Sequence, residues 1–483
     1  MVSVKGNIIL NGINTITGII FPVITFPYAA RVLLPEGIGA VNFLNSIVSY
    51  IVLLTSLGIP MYAVKEVAKY REDKDQRDKI TVEIIILSTA LCLIGYLGVW
   101  ALAKFVPQIH SQSALFFILS LTILFNAIGV NWFYQGIEDF KFITIRAIII
   151  RTLAAAALFI FVKDSSDLLI YGIIVVGSTV GNNFINFLHL RKYLNPHNLK
   201  LRELEISKHV KPSLQVFILN LIISLYIQLN SIMLGFMSGD DAVGFFTAGT
   251  KISHIGLTII SSIGTVLLPR CSHLIKTGDM NGFKSIINKS LNVTLALSLP
   301  MTIGLMVLAA PITLIFCGYE YVSAIPVLLL NAPVIIFVSL TNVMGIQILY
   351  PMDKIRLVIW SVTGGAIMNI VFNLILIPSY GATGAAIATL IAEFAVLIIQ
   401  LICGQSYYPF KIKDIINVRY LLGAIIMGIA TYAIVFKIPS YSIKLLIGVP
   451  VGIIIYSTYL IFIKDPLMAE IKTAAITKFR YAK

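Results

Sequence analysis

The chain has 483 residues, of which 58% are hydrophobic and only 12% charged, with a mean hydropathy of +0.93 and a formal net charge of +14. A soluble domain of this length would have to expose large apolar patches to water, so a membrane-embedded protein is the class the composition selects. The excess of positive charge falls in connectors between apolar runs, which points to anionic headgroups and away from nucleic acid.

Fourteen apolar stretches are long enough for a spanning helix, near residues 8–30, 38–63, 81–103, 112–134, 144–162, 168–190, 211–236, 241–268, 285–310, 322–349, 355–377, 382–403, 418–436 and 443–463. They are too long and too evenly apolar for barrel strands, which leaves a helical bundle. With the N-terminus in the cytoplasm, the connectors 65–79, 191–211, 270–284, 350–356 and 411–417 and the tail 464–483 lie inside. Of the 36 Lys and Arg, 29 then fall inside, five outside (Arg31, Lys104, Lys163, Lys437 and Lys444) and two within helices (Arg151 and Lys251). That asymmetry is the positive-inside rule, and both termini are expected on the cytoplasmic side. Residues 1–30 lack a small-residue cleavage site after a short apolar core and are expected to stay as a helix.

The cysteines Cys92, Cys271, Cys317 and Cys403 stand in separate segments and are expected as free thiols. The six histidines form no metal-ligand spacing, so no metal and no cofactor are expected.

A weak internal repeat divides the chain. GIGAVNF at 37–43 opens the second apolar run and AVGFFTAG at 242–249 opens the eighth, and each is followed one helix later by a basic connector. Two lobes of equal orientation are the expected result, with two helices added at the end. The domains are 1–190, the connector 191–210, 211–403, and 404–483. Two lobes that rock about a cleft imply transport. Pro22, Pro27, Pro300, Pro326 and Pro333 are expected inside helices, where a proline removes a hydrogen bond and makes either a gate or a tolerated bend.

Charge at depth is the sharper signal. Lys251 lies about ten residues into its helix with His254 on the same face, and a buried ammonium requires a wet cavity, a partner or a bound anion. Arg151 is nearer a cytoplasmic helix end, where it snorkels or meets a ligand; Arg31 stands near the outer end of the first helix, as anchor or site. Glu393 has three readings: a counter-charge, a proton- or sodium-coupling group, or a carboxyl kept protonated. Glu83 reads as ordinary headgroup-level charge at a helix end. Asn11, Asn14, Asn42, Asn45 and Asn131 suit either sugar hydroxyls or helix–helix hydrogen bonds.

The segments FPYAARVLLPEGIGAVNF (26–43), NWFYQGIEDFKFITIR (131–146), VLLPRCSHL (266–274) and GATGAAIATLIAE (381–393) resemble the Wzx-type oligosaccharide flippases. These form the polysaccharide-transport branch of the superfamily that also holds multidrug extruders and the peptidoglycan-lipid flippase. The resemblance implies an all-α polytopic membrane protein of fourteen transmembrane helices, in two pseudo-symmetric six-helix lobes plus two C-terminal helices. It implies translocation of undecaprenyl-diphosphate-linked repeat units across the bacterial inner membrane by alternating access, with polysaccharide polymerase and chain-length proteins as candidate partners. Arg31 in YAARVL resembles the family's basic residue near the end of the first helix, and Lys251 in TAGTKISHIG its cation of the eighth. Arg146 belongs to the resembling stretch; Arg151 rests on depth alone. A cation-coupled drug antiporter of the same superfamily is the alternative, expected to use embedded acids, and a membrane polymerase or ligase is a second, expected to carry a large outer loop. Whether H+ or Na+ drives the cycle is open at this level.

Overall fold

A computed structural model describes residues 4–194, 203–409 and 417–468, so the middle of the 191–210 connector, residues 410–416 and the tail beyond 468 lie outside the described residues. Among the described residues every regular element is helical.

The first helix, α1 (Val4–Ser56), runs through two of the expected stretches and breaks once, at Leu34 (φ 60°, ψ 176°). Pro35 is the cause: it denies the α conformation to the residue before it and then serves as the first turn of the next segment. After Gly58 the chain continues as α2 (Ile59–Lys69), then α3 (Lys74–Phe105), whose Asp73 cap accepts from the Gln76 N–H. Next come α4 (Pro107–His110), α5 (Ser113–Ile128), α6 (Asn131–Gly136), α7 (Phe140–Phe161), α8 (Leu168–Leu190), α9 (Val210–Ser238) and α10 (Asp240–Lys276). The remainder is α11 (Met280–Val307), α12 (Ala309–Cys317), α13 (Ile325–Asn331), α14 (Val334–Asn342), α15 (Ile355–Gly404), α16 (Val418–Phe436) and α17 (Tyr441–Phe462). Like α1, α15 joins two expected stretches and breaks once, at Gly381 (φ 51°, ψ −128°), a conformation only glycine adopts without strain.

Nine helices of the described residues are long and apolar enough to cross a membrane, and a tenth span arises if the pair Tyr319–Asn331 and Val334–Leu349, bent by 41°, counts as one. The stretch at 322–349 was expected as one helix. It is instead divided: Pro326 sits in the first turn of α13, where its missing N–H costs nothing, and not inside a helix as expected. Pro333 caps α14 at the bend, and a π-helical turn, Val343–Leu349, completes the segment.

The chain forms two compact units, residues 1–244 and 245–483. The division between these units falls inside α10, since α9 packs on α1 of the first unit. In the first unit, α5 packs on α8 and α1 on α3, α5 and α7; in the second, α11 packs on α16 and α16 on α17. Broad apolar faces stay open, among them Leu93, Leu97 and Trp100 of α3 and Leu446, Ile453 and Phe462 of α17, as helices bordering lipid require.

Two close approaches within the first unit decide its geometry. A methyl group at Gly39 would collide with the Asp240 carbonyl oxygen, and one at Gly244 with the carbonyl of Pro35. The two glycines belong to the two repeat sequences, and each admits the backbone that opens the other repeat's helix. Gln112 Nε2 secures the same turn by donating to the Asp240 carboxylate.

A second cluster ties the described end of the connector to α2 and α3. Glu83, expected at headgroup level, is fully buried; its carboxylate accepts from the Glu205 N–H (2.7 Å), His209 Nε2 (2.8 Å) and Lys208 Nζ (3.0 Å). His209 Nδ1 bonds the Tyr62 hydroxyl at 2.8 Å. Burial draws the Lys208 ammonium pKa down, but Glu83 and Glu205 more than reverse this and hold it above its usual range.

Gly39→Ala and Gly244→Ala are each expected to lose about 1–3 kcal/mol of stability through forced overpacking, whereas Gly98→Ala, with nothing within 4 Å of its new methyl, is expected to be neutral or stabilising. Thermal unfolding in detergent compares the three. Glu83→Ala, which strands three donors at once, is expected to cost about 3 kcal/mol or more, with earlier proteolysis near residue 205 as a second readout.

Candidate functional site

In the first unit the site grows from the spacing of α7. Thr144, Ala147, Arg151, Ala155 and Leu158 recur every three or four residues, so one face of the helix carries them all toward its neighbours. Asn14 and Thr17 share a face of α1 by the same rule. Arg151 Nη1 donates to the Asn14 carbonyl (2.9 Å), to Asn14 Oδ1 (3.1 Å) and to Thr17 Oγ1 (2.7 Å). The guanidinium is thus fixed by its outer end while Nη2 stands over Gly18, where an added methyl would lie 3.5 Å away.

Beside it opens a cavity of about 240 Å³, walled by Phe21, Pro22 and Thr25 of α1, Ala154 of α7, and Tyr171 and Ser178 of α8. Arg151 is the one charged side chain in that lining. Pro22 adds to its polarity. Lacking an N–H, it leaves the Gly18 carbonyl without its helical donor, and both residues belong to the cavity lining. At about 30 Å³ per water the cavity is a foothold for a polar group, not the seat of a whole oligosaccharide.

Arg31 is elsewhere. It is exposed, three residues before the Leu34 break, roughly 20 Å along α1 from Thr17 at 1.5 Å per residue. Pro27 lies inside α1 but outside the cavity lining.

In the second unit, α10 has a packed and an open face. Gly249, Ile252, Ser253 and Gly256 are buried: a methyl at Gly249 would strike Val327, one at Gly256 would strike Met301, and Ile252 packs with Ala309 and Leu328. Lys251, half-buried, and His254 and Thr258, both exposed, take the other face at the i, i+3, i+7 spacing. Glu393 is half-buried on α15 next to Ala392, whose carbonyl lies close to Gly365 on the opposing segment. Of the expected residues, the structure therefore brings Pro22 to Arg151 and His254 to Lys251; Arg31 and Pro27 lie outside the cavity lining, Pro326 opens α13 and Pro333 marks the bend.

The asparagines divide by role. Asn14 holds Arg151, Asn131 Oδ1 accepts from Arg146 Nη2 (3.2 Å), and Asn42 bonds back to the Ile38 carbonyl. Arg146, 7% exposed, also donates from Nε to Asn182 Oδ1 (3.0 Å) and lies 5.3 Å from the Phe142 ring, which stacks on His189. This cation fastens α6, α7 and α8 together. Thr17, Gly18, Tyr171 and Ser178 were missed as site residues; the Asn14–Thr17 spacing was visible, but its partner lay 134 residues away. The four cysteines are free thiols, and among the described residues no three His, Cys, Asp or Glu converge as a metal site would require.

Comparison with known proteins places this geometry. Over 410 residues the chain is 26% identical to the "Putative O-antigen transporter" of Escherichia coli (strain K12), covering 83% of this chain and 96% of that one. In fold it is similar to the lipid II flippase MurJ in an inward closed conformation, with a TM-score of 0.76 at 19% identity over 95% of this chain and all of that one. A multidrug resistance MATE family transporter of the MOP superfamily, inward-facing, is also similar, with a TM-score of 0.64 at 15% identity over 83% of this chain and 97% of that one. The sequence profile of the polysaccharide biosynthesis protein family matches residues 4–275, more than half of the chain, and the chain belongs to that family.

Proposed function

We propose that this protein is a flippase that moves polyprenyl-diphosphate-linked oligosaccharide repeat units from the cytoplasmic to the outer leaflet of the bacterial inner membrane, by exposing a cation-lined path to the two sides in turn. The observation that carries the reading is the charge at depth: the membrane-embedded cavity of the first unit is lined by one charged group, the anchored guanidinium of Arg151. A diphosphate is prohibitively costly to bring into hydrocarbon alone, and a guanidinium held ready by Asn14 and Thr17 offers it forked donors with little further ordering. Lys251, with His254 on the open face of α10, supplies a second resting point. The likeness to an O-antigen transporter along most of both chains supports the same cargo class.

The lining argues against the antiporter reading, since a cationic drug finds no carboxylate there. No bond is made or broken, so the protein is a transporter and not an enzyme. The repeat boundaries 1–190, 211–403 and 404–483 fit this reading: the breaks at Leu34 and Gly381 divide α1 and α15 into two spans each, and with α9, α10 and the bent segment 319–349 the number becomes fourteen. Both termini then face the cytoplasm, as the distribution of Lys and Arg requires. Coupling through Glu393 and delivery to a polymerase belong to the same proposal.

Vesicles containing the purified protein and a labelled polyprenyl-diphosphate oligosaccharide test it. The native protein is expected to move the label between leaflets. Arg151→Ala and Lys251→Ala are each expected to slow it about tenfold or more, the equivalent of one lost charge-assisted contact, while Arg151→Lys keeps part of the rate. No movement by correctly inserted native protein rejects the flippase; full activity in either alanine variant rejects that residue's role.

A further inference from the structure

At one membrane boundary of the second unit, three chain segments enclose a cavity of about 360 Å³. From α11 come Ser285, Asn288, Lys289 and Asn292, which the i, i+3, i+4, i+7 spacing places on one helical face. Asn417, Arg419 and Tyr420 enter at the start of α16, and Asp465 with the two residues after it close the wall beyond α17.

Several acceptors in this lining already hold a donor, Asp465 through Oδ1. Asp465, its one carboxylate, is 3% exposed and accepts from the Tyr420 hydroxyl (3.4 Å) and the Leu467 N–H (3.0 Å). Asn288 Oδ1 accepts from the Tyr408 hydroxyl (3.2 Å), Asn292 Oδ1 from Asn417 Nδ2 (3.1 Å), and Asn417 Oδ1 from the Arg419 N–H (3.2 Å). Asn288 and Asn292 also carry amide N–H groups, and the exposed Lys289 and Arg419 give the lining two cations against the one buried carboxylate. The positive end of the α16 dipole adds to the same field. A mouth made of donors and cations suits a group with several anionic oxygens.

A second feature says what carries that group. Val418, the residue between Asn417 and Arg419, begins an exposed apolar stripe that continues through Leu422, Ile426 and Ile429 along α16. Polar cavity and apolar stripe meet at the start of α16. We propose that this cavity binds the phosphate of an anionic membrane phospholipid whose acyl chains lie along α16, a site separate from the cargo path.

The test uses the full chain purified in detergent, with lipid retention read by native mass spectrometry and by thermal unfolding. Phosphatidylglycerol is expected to be retained and to raise the unfolding temperature, phosphatidylcholine to do neither, and inorganic phosphate at the same concentration to do neither. Lys289→Gln with Arg419→Gln is expected to weaken phosphatidylglycerol retention about tenfold, and Lys289→Arg with Arg419→Lys to keep it. Lys65→Gln with Lys69→Gln, an equal loss of charge on exposed residues of α2, is expected to change nothing. Equal retention of both lipids, an undiminished phosphatidylglycerol effect in the Lys289/Arg419 glutamine variant, or an equal drop in the Lys65/Lys69 control overturns the site. Stabilisation by inorganic phosphate alone, matching that by phosphatidylglycerol, overturns the assignment to a lipid. Should the double glutamine variant fail to fold, Lys289→Gln and Arg419→Gln taken singly give the same readings.

Discussion

Hydrocarbon and protein interior alike offer a bare charge no water, and that constraint shapes the buried charges of the described residues. Three ionised side chains show how it is met. Arg146 is enclosed between two asparagine oxygens and an aromatic ring; Glu83 receives three donors; Arg151 is held at one end and left beside a cavity at the other. The first two are buried and serve assembly, since their bonds join elements distant in sequence, although Arg146 Nη1 is left without a hydrogen-bond partner. The third differs in lying next to open volume, and in a medium where unmet charge costs several kcal/mol that placement is what supports the proposed anion site.

Backbone breaks do comparable work without charge. Leu34 before Pro35, and Gly381 shortly after Pro378, each turn one long apolar run into two segments. Proline dictates the first break by excluding the helical conformation from its predecessor. In the second, glycine accepts a positive φ that a side chain would resist. Between α13 and α14, Pro333 leaves a bend without a reversal. The same residue type thus ends a span, tunes its axis, or, at Pro22, walls a cavity, and the residues around each proline select among these outcomes.

The helical class and most spans were legible in the sequence, because runs of about twenty apolar residues have few other solutions. Both repeat motifs were legible too, but the reason for their glycines was not: Gly39 and Gly244 meet backbone carbonyls 201 and 209 residues away in the chain, and no local pattern reports a long-range contact. Depth singled out Arg151 and Lys251, yet it could not say that Arg151 would spend one nitrogen on Asn14 and Thr17. Glu83 was misjudged for the same reason. Position near a helix end suggests a solvated acid, and only the return of His209 and Lys208 from the connector buries it. Pro326 failed differently, since an apolar stretch of spanning length concealed a fresh helix start within it.

A transporter must release what it binds, and this sets an upper limit on how well the anion site is built. Two or three full-strength guanidinium pairs around a diphosphate would hold it too firmly to let it go. In the proposed cycle Arg151 avoids that outcome because Nη1 is already engaged, so an arriving phosphate would compete for part of the group's hydrogen-bonding capacity. When the phosphate leaves, Asn14 and Thr17 still hold the cation, and no bare charge is left in the bundle. Lys251 stands on another helix with a compact ammonium, which binds without the bidentate geometry of arginine. In the proposed cycle a pre-anchored guanidinium therefore gives an anionic cargo a resting place it can also leave, and release is what allows net movement in the direction that concentration or coupling imposes.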